Sequence, residues 1–172
     1  MKVQHVRATE TDQKIRTAFL ALLEKRPLDK ITIANITQGA QVNRATFYAH
    51  YQDKYDLFEQ MMATSVAEVL PLSWRQVPMA QRVVQSCRAI QDYLQQIKTH
   101  CPFSYQELFP MVEKEFLPVL IDLIQQSAPN AEDRFRDQLR ARVIYQAVAT
   151  NLVTGAPLPL ETVIEVVQDF HF

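Results

Sequence analysis

The chain has 172 residues, 48% of them hydrophobic, 22% charged and only two of them glycine. That length suits one large helical domain or two small ones; the apolar content excludes wholesale disorder, and so little glycine disfavours a sheet protein with many tight turns. The formal charge of −1 hides a mild asymmetry, nine Lys/Arg against seven Asp/Glu (+2) in residues 1–60 and nine against twelve (−3) in residues 61–172, too small alone to imply a nucleic-acid partner.

From the N-terminus, Thr9 or Thr11 can cap a first helix with Asp12 near its positive end. Ile15, Ala18, Phe19, Leu22 and Leu23 then form one apolar stripe, and "EKRP" closes it, because the residue before Pro27 is pushed out of helical geometry. In "DKITIANITQGA" the alternation of "KITI" suggests a strand, but Thr32 is a good cap and Ile33 and Ile36 lie one turn apart, which predicts a short helix over about 33–39. Asn43 caps a third helix, with Val42 and Phe47 spaced as a hydrophobic staple. Asp53 caps a fourth, which carries Leu57, Phe58, Met61 and Met62 and stops at Pro71. Beyond it the spacing predicts helices over about 79–100, 104–127, 131–153 and 160–170. Pro110 and Pro118 are expected to break or kink the second of these, and Leu160, Val163, Ile164, Val167 and Phe170 share a face of the last.

On a helix over 43–51, Phe47 and Tyr51 share the side to be buried, Arg44 and Tyr48 a second side, and Thr46 and His50 a third. The last two sides expose a guanidinium, a phenol, a hydroxyl and an imidazole, and Ala45 is small enough to permit close approach. Such a helix suits the DNA major groove: Arg44 can read a guanine edge through two hydrogen bonds, while Thr46, Tyr48 and His50 can hold phosphate oxygens. Lys54 and Thr32, at the positive starts of two further helices, are placed to add phosphate contacts. Each of these side chains is also ordinary on a solvated or packed helix.

Residues 9–62, above all "ITIANITQGAQVNRATFYAHYQDKYDLF", resemble the N-terminal domain of TetR-family transcriptional regulators. The family pattern is met at Thr32, Ile33, Ile36, Val42, Thr46, Phe47, Tyr48, His50 and Lys54, with Asn43 in place of the usual cap Ser and Tyr51 in place of Phe. The resemblance implies an all-α fold, in which an N-terminal three-helix bundle with a helix-turn-helix (1–55) is linked by a fourth helix to a C-terminal helical ligand-binding and dimerisation domain (56–172). It also implies contact with DNA through Thr32, Asn43, Arg44, Ala45, Thr46, Tyr48, His50 and Lys54. Two positions depart from the pattern. Gln41 stands where the family usually has Gly, costing about 1 kcal/mol if that residue is left-handed, unless Gly39 ends the second helix instead. Ala49 stands where many members have a basic residue. Neither change removes a core contact.

The remainder is less diagnostic. Phe103, Tyr105, Phe109, Met111, Phe116 and Leu117 flank the two prolines and could line a pocket for an apolar or aromatic small molecule. Leu139, Val143 and Ala147, with Leu160, Val163, Ile164 and Val167, give the last two helices apolar stripes suited to a four-helix dimer interface, although core packing would account for the same spacing. Cys87 and Cys101 have no CxxC or Cys/His company, so neither a disulfide scaffold nor a metal site is expected. There is no nucleotide-binding glycine loop, HExxH or GxSxG, and no enzyme activity or cofactor is expected. "MKVQHVRATE" lacks the apolar run of a secretory signal and "FLPVLIDLI" is too short to span a bilayer, so a cytoplasmic protein is expected. The expectation is thus a ligand-responsive repressor binding a near-palindromic operator as a homodimer. An activator or co-activator with the same head, or a helical adaptor that has lost operator binding, are the alternatives.

Overall fold

In the computed structural model residues 2–125 and 130–169 are described; among them are eight α-helices, two 3₁₀ turns and no strand. They pack as two units, one made of residues up to Met61 with Ile97–Tyr105, the other of Met62–Gln96 with residues from Gln106 onward. Chain order alone does not reveal that grouping.

The first unit begins with α1 (Lys2–Leu23), longer than the cap residues suggest. Thr9 and Thr11 lie inside it rather than at its start, since residues 2–10 contain neither Pro nor Gly to stop the helix upstream. Helix α2 (Ile33–Ala40) opens on a capping box, in which the Thr32 hydroxyl accepts from the Asn35 amide while the Asn35 side chain accepts from the Thr32 amide. Gly39 sits within α2, and a Cβ there would come within 3.2 Å of the Ala18 Cβ, so its bareness permits close approach of α1. Helix α3 (Arg44–Tyr48) follows after three residues, and α4 (Lys54–Val69) starts where the Asp53 carboxylate accepts from the amides of Tyr55 and Asp56. Ile15, Phe19, Leu23, Ile36, Phe47, Leu57 and Phe58 form the core.

The link between α1 and α2 is a 3₁₀ turn, Leu28–Lys30, that sequence periodicity does not register. Two side chains hold it. The Lys54 ammonium donates to the carbonyls of Leu28 (2.7 Å), Asp29 (3.2 Å) and Ile31 (2.8 Å), and the buried Ser104 hydroxyl accepts from the Leu28 amide at 2.7 Å. Tyr51, almost wholly buried, donates its phenol proton to Asp12 of α1, and the Arg16 guanidinium lies over its ring. Burial first, and the Asp12 carboxylate second, push the Tyr51 hydroxyl above its ordinary range.

The second unit contains the rest of α4, a 3₁₀ turn (Leu72–Gln76), α5 (Met79–His100, to Gln96), α6 (Tyr105–Ile124, from Gln106), α7 (Ala131–Val153) and α8 (Leu160–Asp169). Arg75 and Arg82 secure the turn: Arg75 pairs with Asp122, and Arg82 donates to the carbonyls of Val77 (2.7 Å) and Leu123 (2.9 Å). Contrary to expectation, neither Pro110 nor Pro118 ends α6. Both rings lie on an exposed stripe with Gln106 and Lys114, where a carbonyl deprived of its amide partner can be hydrated. An Asn130–Asp133 capping box starts α7. Residues 126–129, and Phe170, expected to share a face of the last helix, lie outside the described residues. Cys87 and Cys101 are buried free thiols; burial pushes the first up to about 12, and burial with Glu24 nearby pushes the second up to about 11.

Three measurements check this account of the first unit. Lys54→Met keeps the stem and removes three hydrogen bonds, so the protein loses about 1.5–3 kcal/mol in urea unfolding. Because the raised Tyr51 hydroxyl stays protonated in the fold while an unfolded tyrosine ionises near pH 10, its stabilising contribution is whole below about pH 10. It is lost as pH climbs from there toward the folded value, and Tyr51→Phe makes alkaline unfolding curves flatter above that point. Gln41→Gly, at the turn described next, gains about 1 kcal/mol.

Candidate functional site

The turn that aims α3 is built on one unusual backbone residue. Gln41 has φ 55° and ψ 41°, the single positive φ found among the described non-glycine residues. Its amide donates to the Gln38 carbonyl and the next amide, Val42, donates to Thr37 at 3.0 Å. This is the paired closure by which a helix ends when a left-handed residue follows it, a place where glycine is usual. Gly39 is therefore not the residue that ends α2, and Gln41 takes the left-handed conformation itself.

Helix α3 starts at once. The Asn43 side-chain oxygen accepts from the Thr46 amide at 2.7 Å and from the Thr46 hydroxyl at 3.0 Å. Phe47 is fully buried and meets Tyr51 at 5.7 Å between ring centroids. On the other flanks Asn43, Arg44 and Ala45 are exposed, and the Tyr48 ring is 51% exposed, resting edgewise on Phe47. His50 is half-buried beside the Tyr51 ring. The structure thus places one anchor inward and leaves a guanidinium and a phenol in water.

Not every residue expected to touch DNA is free to donate. Lys54 commits its ammonium to the 28–31 turn, so its expected role as a phosphate contact is corrected: its three donors go to the carbonyls of Leu28, Asp29 and Ile31. Thr32 gives its hydroxyl proton to Asn35 and Thr46 gives its own to Asn43. Both can still accept, but a phosphate oxygen needs a donor. Tyr55, which periodicity does not single out, is 45% exposed with the Lys54 ammonium 5.3 Å from its ring centroid.

In the second unit the expected pocket residues separate. Phe109 and Phe116 are buried, Met111 and Leu117 half-buried; Phe116 lies between Tyr93 (5.1 Å) and Tyr145 (5.8 Å). Phe103 is 59% exposed, and it and Tyr105 belong to the first unit. A cavity of about 320 Å³ does open between α6 and α7, with Phe109, Glu113, Tyr145 and Gln146 in its wall. Of the expected dimer residues, Val163, Ile164 and Val167 are already buried within the chain, whereas Leu139, Val143, Ala147 and Leu160 are half-exposed. A buried carboxylate, Asp137, is present that sequence reading missed. An aspartate within an otherwise charged helical start carries no signal of burial. No candidate metal cluster occurs among the described residues, and no helix among them is long and apolar enough to cross a membrane.

Comparison with known proteins agrees with this geometry. Residues 15–61 match the family of bacterial regulatory proteins described as the tetR family. Over 65 residues, 37% of this chain, the sequence is 40% identical to the uncharacterized HTH-type transcriptional regulator YxbF of Bacillus subtilis (strain 168). That stretch is 17% of the relative, so the chain spans well under a fifth of that protein's length. In fold it is similar to a TetR transcriptional regulator from Streptococcus agalactiae 2603V, with a TM-score of 0.61 and 20% identity over 96% of each chain. It is also similar to the dihydroxyacetone kinase operon activator DhaS, with a TM-score of 0.59 and 17% identity over 92% of each. The helix-turn-helix, its left-handed turn and its capped third helix are all carried by the matched segment, so residues 15–61 form a DNA-binding domain of the type found in the tetR family of bacterial regulatory proteins.

Proposed function

We propose that the protein is a DNA-binding transcriptional regulator, acting as a repressor that meets a near-palindromic operator as a homodimer and is released by a small molecule. The observation that carries this reading is the wet flank of α3. Arg44 is exposed at the start of a short helix whose backbone is fixed by the Asn43 cap and the Gln41 turn. A guanidinium presented this way can bond a guanine edge bidentately, and the exposed Tyr48 hydroxyl can hold a phosphate. Asn43, Ala45 and His50 complete the contact surface, with Thr32, Thr46 and Lys54 fixing its shape from behind.

Two heads on a symmetric pair would reach successive major grooves one helical turn, or a multiple, apart. The half-exposed Leu139, Val143 and Ala147 of α7, with Leu160 and the 49%-exposed Val166 of α8, supply apolar area for the pairing. An effector, apolar or aromatic in part, binding one body conformation better than another would shift DNA affinity by the ratio of its two affinities. Activation through the same head is the second reading; DhaS, which is similar in fold, is a dihydroxyacetone kinase operon activator.

The test is titration onto DNA from the protein's own upstream region at two salt concentrations. Binding is expected to weaken with salt. Arg44→Ala relaxes discrimination by about 1–3 kcal/mol at one base position, while Tyr48→Ala weakens all sequences alike. Unchanged binding in both variants would sink the assignment of the reading surface.

A further inference from the structure

In the interior of the second unit three side-chain oxygens have no hydrogen-bond partner among the described residues: Gln85 Oε1, Ser86 Oγ and Asp137 Oδ2. Ser86 is completely buried and Asp137 is 1% exposed. Arg140 Nη1 stands 3.5 Å from the other Asp137 oxygen, Oδ1, a long contact for an ion pair.

Helix register brings the three to one level. Tyr93 of α5, Phe116 of α6 and Tyr145 of α7 form a single aromatic layer. Arg82 reaches the Leu123 carbonyl while Tyr93 meets Phe116, so α5 and α6 run antiparallel. Only residues 125–130 join α6 to α7, a connection short enough to make these antiparallel too, so α5 and α7 run the same way. Ser86 precedes Tyr93 by seven residues and Asp137 precedes Tyr145 by eight. Each therefore lies about 10–12 Å, two turns, along its helix from the aromatic layer. Leu123 and Ile124 of α6 are fully buried at that depth, and Leu120, Ile90 and Ala141 lie in the turn between. Acceptor oxygens and one carboxylate thus sit among aliphatic side chains, with aromatic rings two turns away.

Burying a carboxylate oxygen without a donor is unfavourable, and chains retain such a cost chiefly where a ligand relieves it. We propose that this level of the second unit binds the ammonium head of a small primary amine whose apolar tail points toward the Tyr93–Phe116–Tyr145 layer. Asp137 supplies the countercharge, and Gln85 and Ser86 accept the remaining N–H groups. A primary ammonium carries three donors, a positive charge and no acceptor, which answers three acceptor oxygens; an alcohol brings one donor, and an anion would meet Asp137 head-on. The inference rests on the effector-responsive reading above and names the chemistry of the effector.

The full chain is titrated with 4-phenylbutylammonium and butylammonium while its thermal unfolding midpoint is followed. Matched arms use 4-phenylbutanol, butanol and potassium chloride at equal ionic strength. The amines should raise the midpoint saturably, by about 5–10 °C at a hundredfold excess over Kd, and the matched arms should not. Asp137→Asn should weaken the amine response at least about tenfold, the equivalent of losing a charge-assisted hydrogen bond, and Ser86→Ala should weaken it less. Without ligand, Asp137→Asn should unfold at the same or a higher temperature than the parent. An equal shift with potassium chloride or the alcohols, an undiminished response in Asp137→Asn, or a marked loss of unliganded stability in that variant would each overturn the site. Operator titration without amine separates the two readings: an Arg44-dependent complex alongside no amine response leaves the regulator standing and removes the amine site. An Asp137-dependent amine response with no operator complex leaves the amine site standing and removes its regulatory role.

Discussion

A helix of five residues cannot hold itself together in water, because the cost of its first turn is not repaid over so short a length. Every feature of the exposed flank of α3 follows from how that helix is propped. Asn43 accepts from the orphan amide of Thr46, Phe47 drives one flank into the core, and Gln41 turns the incoming chain through a left-handed residue. Behind it, Tyr51 is tied to Asp12 on α1 and Lys54 to the 28–31 turn. The surroundings over-determine the conformation of α3, and this lets its outer flank carry side chains chosen for something other than folding.

That division explains why two residues with similar sequence credentials end with different roles. Arg44 and Lys54 are both cations near helix starts, yet only Arg44 projects into solvent while Lys54 is surrounded by carbonyls. Thr32 and Thr46 look like phosphate donors, but each hydroxyl proton already belongs to a neighbouring Asn. A donor spent within the protein shapes the surface; an exposed one is left for another partner. Position in a motif does not separate the two cases, and hydrogen-bond bookkeeping does.

Much of the architecture was legible where the signals are local. The caps at Thr32, Asn43 and Asp53, and the boundaries of the helix at 79–100, follow from residues within one turn of each end. Illegible features depend on partners distant in sequence. Ser104 holds Leu28 from 76 positions away, and residues 97–105 join the first unit although they begin inside α5, which is mostly in the second. The two prolines in α6 mislead because their cost depends on which face is wet, and the burial of Asp137 depends on neighbours from other helices. At the candidate site the residue types were readable, but their commitments were not.

The two cysteines give each unit a concealed clock. Cys101 lies in the first unit and Cys87 in the second, each covered by its own core and each with a thiol that burial holds far from ionising at neutral pH. A thiolate-seeking reagent therefore cannot modify either one until the surrounding structure opens. The modification rate at each position then measures how often that unit breathes, and a molecule that quiets one unit but not the other would reveal which one it occupies.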